Sequence, residues 1–143
     1  MGALGWYLDT SVLAALLRPE PSSNRADSFI RRNPADLTVS DFTAAEFASA
    51  VARWVRTREL NETAARTALE SFDLWLTRSA QRVEVSPADI AAATTFLRRL
   101  DLPLRTPDAI HIAIAQRLGA TLVTFDRRMA ASAAALGTAV AMP

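Results

Sequence analysis

Short apolar runs alternate with longer amphipathic stretches along this chain. The apolar runs have the length and composition of buried strands. They predict strands over residues 4–8, 37–39, 83–85 and 121–125, with a short fifth strand over residues 138–141. Because strands that alternate with helices form parallel sheets covered on both faces, the predicted fold class is α/β with a mainly parallel sheet of four to five strands.

Start and stop signals place helices between these strands. Ser40 and Asn61 are predicted N-caps, and proline occupies a favoured early position in the start signals Ser86-Pro87 and Thr106-Pro107. The predicted helices cover residues 11–17, 22–30, 41–57, 61–77, a segment beginning at 86–87, 106–118 and 127–136.

Composition narrows the class of protein. A chain of 143 residues can bury one core, so we expect a single domain over residues 1–143. The formal net charge is only +1, so any affinity for nucleic acid must come from local patches. Cysteine is absent, which excludes disulfides, thiolate zinc sites and a cysteine nucleophile. The sequence shows neither a signal peptide nor a membrane-spanning run, so the expected location is the cytoplasm.

Four carboxylates occupy positions where open parallel sheets bind ligands, beyond the carboxyl ends of the strands. Asp9 directly follows the first predicted strand, and Asp126 directly follows the fourth. Glu46 lies in the second turn of the helix after the second strand, and Asp108 lies in the first turn of a later helix. Because these strand ends and helix starts share one edge of the sheet, all four acids can converge on one crevice.

Each acid also has a structural explanation when it is taken alone. Asp9 and Asp126 suit helix N-caps, Asp108 would interact favourably with a helix dipole, and Glu46 could be an exposed helix residue. The structural explanation is weakest for Glu46, because residues 42–51 around it are nearly all apolar or small. A carboxylate buried there costs free energy unless something compensates for it, and a cation would keep it ionised.

The same reasoning applies to the four acids together. Two carboxylates about 5 Å apart repel by roughly 3 kcal/mol at an effective dielectric constant near 20, and a divalent cation offsets that repulsion. Oxygen ligands without cysteine favour Mg²⁺ or Mn²⁺ over zinc. Such ions activate a hydrolytic nucleophile and stabilise a phosphoryl transition state. The acids therefore predict metal-dependent hydrolysis of phosphodiesters.

The segments around these acids carry a family resemblance that covers essentially the whole chain. They are the run Leu8-Asp-Thr-Ser-Val-Leu13, Glu46 in an alanine-rich helix, Thr106-Pro-Asp-Ala-Ile-His-Ile-Ala113, and Leu118-Gly-Ala-Thr-Leu-Val-Thr-Phe-Asp126. Together they resemble the PIN-domain family, and more closely the VapC toxins of bacterial toxin–antitoxin pairs. The first segment alone is weakly specific, whereas four in this order at this length are quite specific.

The resemblance implies a fold and a set of functional residues. The implied fold is a three-layer α/β/α PIN-like domain with a central parallel sheet. Ser11 and Thr124 match small polar positions that support or orient the site in the family. The implied metal-binding and catalytic acids are Asp9, Glu46, Asp108 and Asp126.

The resemblance also implies an activity and partners. The implied reaction is Mg²⁺- or Mn²⁺-dependent endonucleolytic cleavage of single-stranded or loop RNA. The implied partners are a cognate VapB-type antitoxin and a second copy of the chain in a homodimer. Two alternatives stay open: a metal-binding PIN module that binds RNA or a protein without turnover, and a stand-alone PIN nuclease with no antitoxin.

His111, the one histidine in the sequence, follows Asp108 by three residues. It can be a base, a metal ligand or a packed, hydrogen-bonded residue, and its Ala-Ile-His-Ile-Ala surroundings favour the packed residue. A serine-histidine-aspartate hydrolase would need this histidine, but the sequence has no Gly-x-Ser-x-Gly motif.

Three arginines stand beside two of the acids. Arg105 shortly precedes Asp108, and Arg127 and Arg128 directly follow Asp126. They can contact RNA phosphates at the mouth of the predicted crevice. They can equally be solvated charges at helix ends.

Overall fold

Five short strands form the centre of the computed structural model, which describes residues 5–143. They are β1 (Trp6–Leu8), β2 (Leu37–Ser40), β3 (Gln81–Val83), β4 (Thr121–Val123) and β5 (Val140–Ala141). Their order across the sheet is β3-β2-β1-β4-β5, and every neighbouring pair is parallel. This confirms the predicted α/β class. Because the direction of strand succession reverses between β1 and β4, a crevice opens there, beyond their carboxyl ends.

Seven helices connect the strands within residues 5–143. They are α1 (Thr10–Leu17), α2 (Ser23–Arg32), α3 (Asp41–Arg56), α4 (Glu62–Ser79), α5 (Pro87–Leu97), α6 (Thr106–Leu118) and α7 (Arg127–Ala135). The two predicted N-caps are confirmed, since the side chains of Ser40 and Asn61 each accept a hydrogen bond from the first turn of their helix, and Ser86 caps α5 in the same way. Gly119 ends α6 in the left-handed conformation, with φ of 62°. No helix in this part of the chain is long and apolar enough to cross a membrane.

The third strand was predicted two residues too late. It covers Gln81–Val83 instead of residues 83–85, and it pairs Val83 with Ser40 at the end of β2. Two physical causes explain the error. The observed strand is an edge strand with exposed residues, so its sequence lacks a buried apolar run. Val85 directly precedes Ser86, the N-cap of α5, where the chain has already left the sheet.

The bounds of three other strands are shorter than predicted. The fourth strand ends at Val123 because Thr124 and Phe125 already lead into α7, and the fifth begins at Val140. The first strand begins at Trp6; Leu4, with which the predicted strand began, lies outside the described residues.

Alternating side chains of the central strands separate two hydrophobic clusters, one on each face of the sheet. Leu8 and Val123 pack with α1–α4, whereas Tyr7 and Leu122 pack with α5–α7. The result is the predicted three-layer α/β/α arrangement. It fixes the carboxyl ends of β1 and β4 side by side, with Leu8 of one strand in register with Val123 of the other.

Candidate active site

The four predicted acids line one cleft of about 350 Å³ at the carboxyl ends of β1 and β4. Asp9 comes from the end of β1, Glu46 from α3, Asp108 from the first turn of α6 and Asp126 from the start of α7. The fold thus brings together the residues that the sequence singled out, and Glu46 lies in the same cleft as the other three.

Asp9 is nearly buried, with 3% of its surface exposed, and both of its carboxylate oxygens accept hydrogen bonds. Oδ1 accepts from the Ser11 hydroxyl at 2.6 Å and from the Val12 backbone N–H at 3.2 Å, which makes Asp9 the N-cap of α1. Oδ2 accepts from the Thr124 hydroxyl at 2.6 Å. Burial raises the pKa of Asp9, although His111 and these donors oppose the rise. Asp9 therefore caps α1 and also lines the cleft.

Ser11 and Thr124 connect the ends of β1 and β4. Besides its bond to Asp9, the Ser11 hydroxyl accepts from the Phe125 N–H at 3.0 Å, and the Thr124 hydroxyl accepts from the Asp126 N–H at 2.9 Å. The two hydroxyl groups therefore hold Asp9 at a fixed place relative to the backbone that carries Asp126. Their catalytic support of the site stays a prediction.

Asp108 and Asp126 each use one oxygen to begin a helix. Oδ2 of Asp108 accepts from the Arg105 N–H at 3.2 Å, and Oδ1 of Asp126 accepts from the backbone N–H groups of Arg128 and Met129 at 2.9 and 3.0 Å. Within residues 5–143, the other oxygen of each carboxylate accepts no hydrogen bond. Each acid can therefore offer one oxygen to a ligand in the cleft.

Glu46 is half-buried, with 28% of its side chain exposed, and its Oε1 is held by two donors. The Thr10 hydroxyl donates at 2.7 Å, and Nε2 of His111 makes a short hydrogen bond to the same oxygen. Burial alone would raise the pKa of Glu46, but the interactions with His111 and Thr10 outweigh it and lower the pKa. The compensation that the sequence argument assigned to a cation thus comes partly from His111 and Thr10.

His111 is 2% exposed and hydrogen-bonded through both ring nitrogens, as predicted for a packed histidine. Its Nδ1 lies 2.7 Å from the hydroxyl oxygen of Tyr7, and the ring of Phe42 packs edge-on at 5.0 Å. Sequence reasoning missed Tyr7. The available signal was a single hydroxyl in a buried strand next to Asp9, since a buried tyrosine usually has a hydrogen-bond partner.

The donor chemistry of the cleft suits Mg²⁺ or Mn²⁺, which prefer oxygen ligands. Within residues 5–143, however, no group of three or more acidic or histidine side chains is arranged so that it could hold a metal ion by itself. Mg²⁺ usually keeps several waters and binds through one or two carboxylates, so acids that share a cleft without close contact still fit it. The assignment of all four acids as metal ligands stays a prediction.

The three arginines are not equivalent. Arg105 lines the main cleft, and Arg105 and Arg128 line an adjoining pocket of about 280 Å³ together with Asp108 and Asp126. Arg127 is exposed on α7 and lines neither of these two pockets. The arrangement separates two arginines that border the acids from one that does not.

Comparison with known proteins agrees with this geometry. The PIN domain profile matches residues 6–135. The chain is 36% identical over 141 residues to ribonuclease VapC46 of Mycobacterium tuberculosis, and the matched region covers 96% of each protein. It is 31% identical over 131 residues to ribonuclease VapC3 of Pyrobaculum aerophilum, and the matched region covers 92% of this chain and 96% of that relative.

Solved structures of low sequence identity share the fold. VapC20 of Mycobacterium tuberculosis, a toxin that cleaves the sarcin–ricin loop, has a TM-score of 0.73 at 18% identity and covers 90% of this chain and 95% of that one. The DNA-bound VapBC complex of Salmonella typhimurium gives a TM-score of 0.75 at 16% identity, covering 97% of this chain and 98% of that one.

The fold, the cleft acids and the profile match define the class: this chain belongs to the PIN-domain family. Its similarity to curated relatives over nearly the full length makes it a VapC-type member of that family, which confirms the predicted resemblance.

Proposed function

We propose that this protein is an endoribonuclease that uses Mg²⁺ or Mn²⁺ to hydrolyse phosphodiester bonds in single-stranded or loop RNA. The observation that carries the proposal is the convergence of Asp9, Glu46, Asp108 and Asp126 on one cleft at the point where strand order reverses. The ribonuclease names of both curated relatives support the same reaction.

The four acids would hold the cation through their oxygen atoms. When bound, a divalent cation lowers the pKa of water and offsets the negative charge of a phosphoryl transition state. Asp9 is preorganised by its hydrogen bonds to Ser11, Thr124 and the start of α1. One of Asp108 and Asp126, with its free oxygen not bound to the cation, would accept the proton that the attacking water loses. As the water oxygen bonds to phosphorus, the bond to the leaving ribose oxygen breaks, and that oxygen takes up a proton from solvent.

The surroundings of the acids suit an unpaired RNA strand. The cleft of about 350 Å³ has the size of a small-ligand pocket, and sequence-selective RNA recognition commonly uses unpaired nucleotides that splay into such pockets. Arg105 and Arg128 border the acids, where their guanidinium groups can bind phosphates beside the one that is cleaved. These contacts would keep the phosphodiester against the acids despite their negative charge.

We further propose that the protein is the toxin of a VapBC-type pair, neutralised by a cognate VapB-type antitoxin, and that it acts as a homodimer in the cytoplasm. VapBC complexes of Salmonella typhimurium and Rickettsia felis share its fold, which supports such a partner. Co-expression with the product of the adjacent gene, followed by co-purification, tests for the antitoxin. Light scattering of the purified chain tests for the dimer.

The second candidate function is a PIN module that binds RNA or a protein without turnover. One observation favours it: within residues 5–143, no three acidic or histidine side chains form a ready metal site. The Asp9→Asn variant separates the two candidates, because asparagine can still cap α1 but lacks the charge. If the protein is a binding module, the wild type and the Asp9→Asn variant bind RNA equally well, and neither protein cuts it.

The direct test of the proposed function is incubation of the purified protein with a mixed RNA pool. We expect defined cleavage products with Mn²⁺ or Mg²⁺, none in excess EDTA, and recovery when the cation is restored. Cleavage at the same sites in EDTA, or by the Asp9→Asn variant at the wild-type rate, would overturn the proposal.

A further inference from the structure

A continuous chain of hydrogen bonds runs from the interior of the sheet to Glu46. The Ser40 hydroxyl oxygen lies 2.7 Å from the Tyr7 hydroxyl oxygen, which lies 2.7 Å from Nδ1 of His111. Nε2 of His111 then contacts Oε1 of Glu46. Tyr7 and Ser40 are fully buried, whereas Glu46 lines the cleft. The chain therefore connects the core to one of the proposed catalytic acids.

The contacts of Thr43 and Glu46 are consistent with one assignment of donors and acceptors along this series of hydrogen bonds. The Thr43 backbone N–H donates to the Ser40 oxygen at 3.0 Å, and the Thr43 hydroxyl donates to a backbone carbonyl of β1 at 3.3 Å. Because Nε2 of His111 faces a carboxylate oxygen of Glu46, Nε2 is the nitrogen that carries a hydrogen in this contact, and the Tyr7 hydroxyl can then donate to Nδ1. An imidazole whose Nδ1 accepts carries its hydrogen on Nε2, which is the nitrogen that faces Glu46.

The two oxygens of Glu46 are not equivalent. Oε1 binds both the Thr10 hydroxyl and Nε2 of His111, whereas Oε2 accepts no hydrogen bond within residues 5–143. Both ring nitrogens of His111 are hydrogen-bonded within the protein, to Tyr7 and to Glu46, so the imidazole ring is held from two sides.

We propose that His111 is a positioning residue: Tyr7 holds it in the tautomer with hydrogen on Nε2, and it anchors Oε1 of Glu46 so that Oε2 is presented to the cleft. The catalytic part of this inference rests on the proposed nuclease function. Groups that orient a metal-binding carboxylate from behind typically contribute about 10–100-fold to metal affinity or activity. The position of Glu46 in the cleft therefore depends on a buried series of hydrogen bonds that reaches back to β2.

The tautomer can be measured without any RNA cleavage. Because the sequence has one histidine, ¹⁵N-histidine labelling gives a single imidazole, and its long-range ¹H–¹⁵N correlations report which nitrogen carries hydrogen. We expect hydrogen on Nε2 alone in the wild type at neutral pH, and loss of this single state in Tyr7→Phe. Hydrogen on Nδ1 alone, or on both nitrogens, would overturn the proposal.

Substitutions at His111 separate positioning from packing. Glutamine can reach Glu46 with an amide N–H, whereas methionine fills a similar volume without a donor. We expect His111→Met to lower kcat and the Mn²⁺ affinity by about 10–100-fold with little change in KM for RNA, and His111→Gln to recover most of the loss. Phe42→Leu is the packing control, because it alters the 5.0 Å ring contact and removes no hydrogen bond; we expect it to resemble the wild type.

The outcomes are distinguishable. If His111→Gln is as impaired as His111→Met, or if neither differs from the wild type, His111 does not position Glu46. If His111→Met does not fold, the Tyr7→Phe variant and the tautomer measurement decide the question. If the wild type cuts no RNA under any condition, the nuclease proposal fails, while the tautomer and Mn²⁺ binding still test the arrangement of His111.

Discussion

Two buried aspartates of this molecule stand in opposite electrostatic surroundings. Asp89, 1% exposed in the first turn of α5, binds the Arg117 guanidinium of α6 through both oxygens, at 2.8 and 3.0 Å. These hydrogen bonds raise the pKa of Arg117. Asp9, 3% exposed, receives its hydrogen bonds from neutral groups, namely two hydroxyls and a backbone N–H.

The difference separates an acid whose charge the protein neutralises with its own cation from an acid that is held only by neutral donors. At Asp89 the protein supplies its own cation, so the charge is neutralised permanently and the pair fastens α5 to α6. Four acids line the cleft. The Arg105 side chain lies 4.0 Å from Asp108 but is largely exposed to solvent. Under the proposed function, a divalent cation would neutralise the charge of the cleft acids that no residue of the protein neutralises.

The largest expected effect of a substitution is in the cleft. Asp108→Asn keeps an oxygen that can accept from the Arg105 N–H but removes the charge. We expect RNA cleavage to fall by about 100–1,000-fold, as when a preorganised group at a reacting centre is lost, with little change in the free energy of unfolding. Asp101→Asn, at an exposed acid in the loop before α6, is the matched control and should cleave normally. Equal activity of the two variants would contradict the assignment.

The Asp89–Arg117 pair should give the reverse result. In Asp89→Asn, Arg117 loses its charge-assisted hydrogen bonds, so we expect the free energy of unfolding to fall by about 1–3 kcal/mol in urea denaturation. Cleavage per folded molecule should stay at the wild-type value, because neither residue lines the cleft. A loss of kcat without a loss of stability would show that the comparison between the two aspartates is wrong.

The helix starts and the positions of the cleft acids could be predicted from the sequence because they depend on local signals. Helix starts at Ser40, Asn61 and Ser86 follow from capping chemistry, and the acids at strand ends follow from the topology of parallel sheets. The third strand was misplaced because an edge strand buries little and has no clear apolar pattern.

The chain from Tyr7 through His111 to Glu46 could not be predicted in this way. Its members lie on β1, α6 and α3, and no local pattern encodes contacts between elements so far apart in the sequence. The sequence predicted only that His111 is packed and hydrogen-bonded, without naming its partners. Which partners they have is decided by packing.

A smaller effect separates the neighbouring arginines of α7. Arg128 borders the acids in the adjoining pocket and Arg127 does not, although both are exposed. We expect Arg128→Gln to raise KM for RNA several-fold and to weaken its dependence on salt, because one phosphate contact is lost, whereas Arg127→Gln changes neither. Steady-state kinetics at two salt concentrations measure both quantities. Equal effects would mean that the arginines act only through overall charge.

The smallest expected effect is at Thr10. Thr10→Val removes one of the two donors to Oε1 of Glu46 and keeps the shape of the side chain. Because His111 still holds that oxygen, we expect a loss of kcat smaller than that of His111→Met. Single-turnover cleavage of one RNA substrate by the two variants compares them directly. A larger loss in Thr10→Val would make Thr10 the main anchor of Glu46.

The central claim is that the cleft acids carry negative charge that a divalent cation neutralises. Mn²⁺ binding, measured by titration calorimetry on the wild type, Asp108→Asn and Asp89→Asn without RNA, tests it most directly. We expect saturable binding to the wild type and to Asp89→Asn, and strongly weakened binding to Asp108→Asn. Binding of equal strength to all three proteins, or none to the wild type, would contradict it.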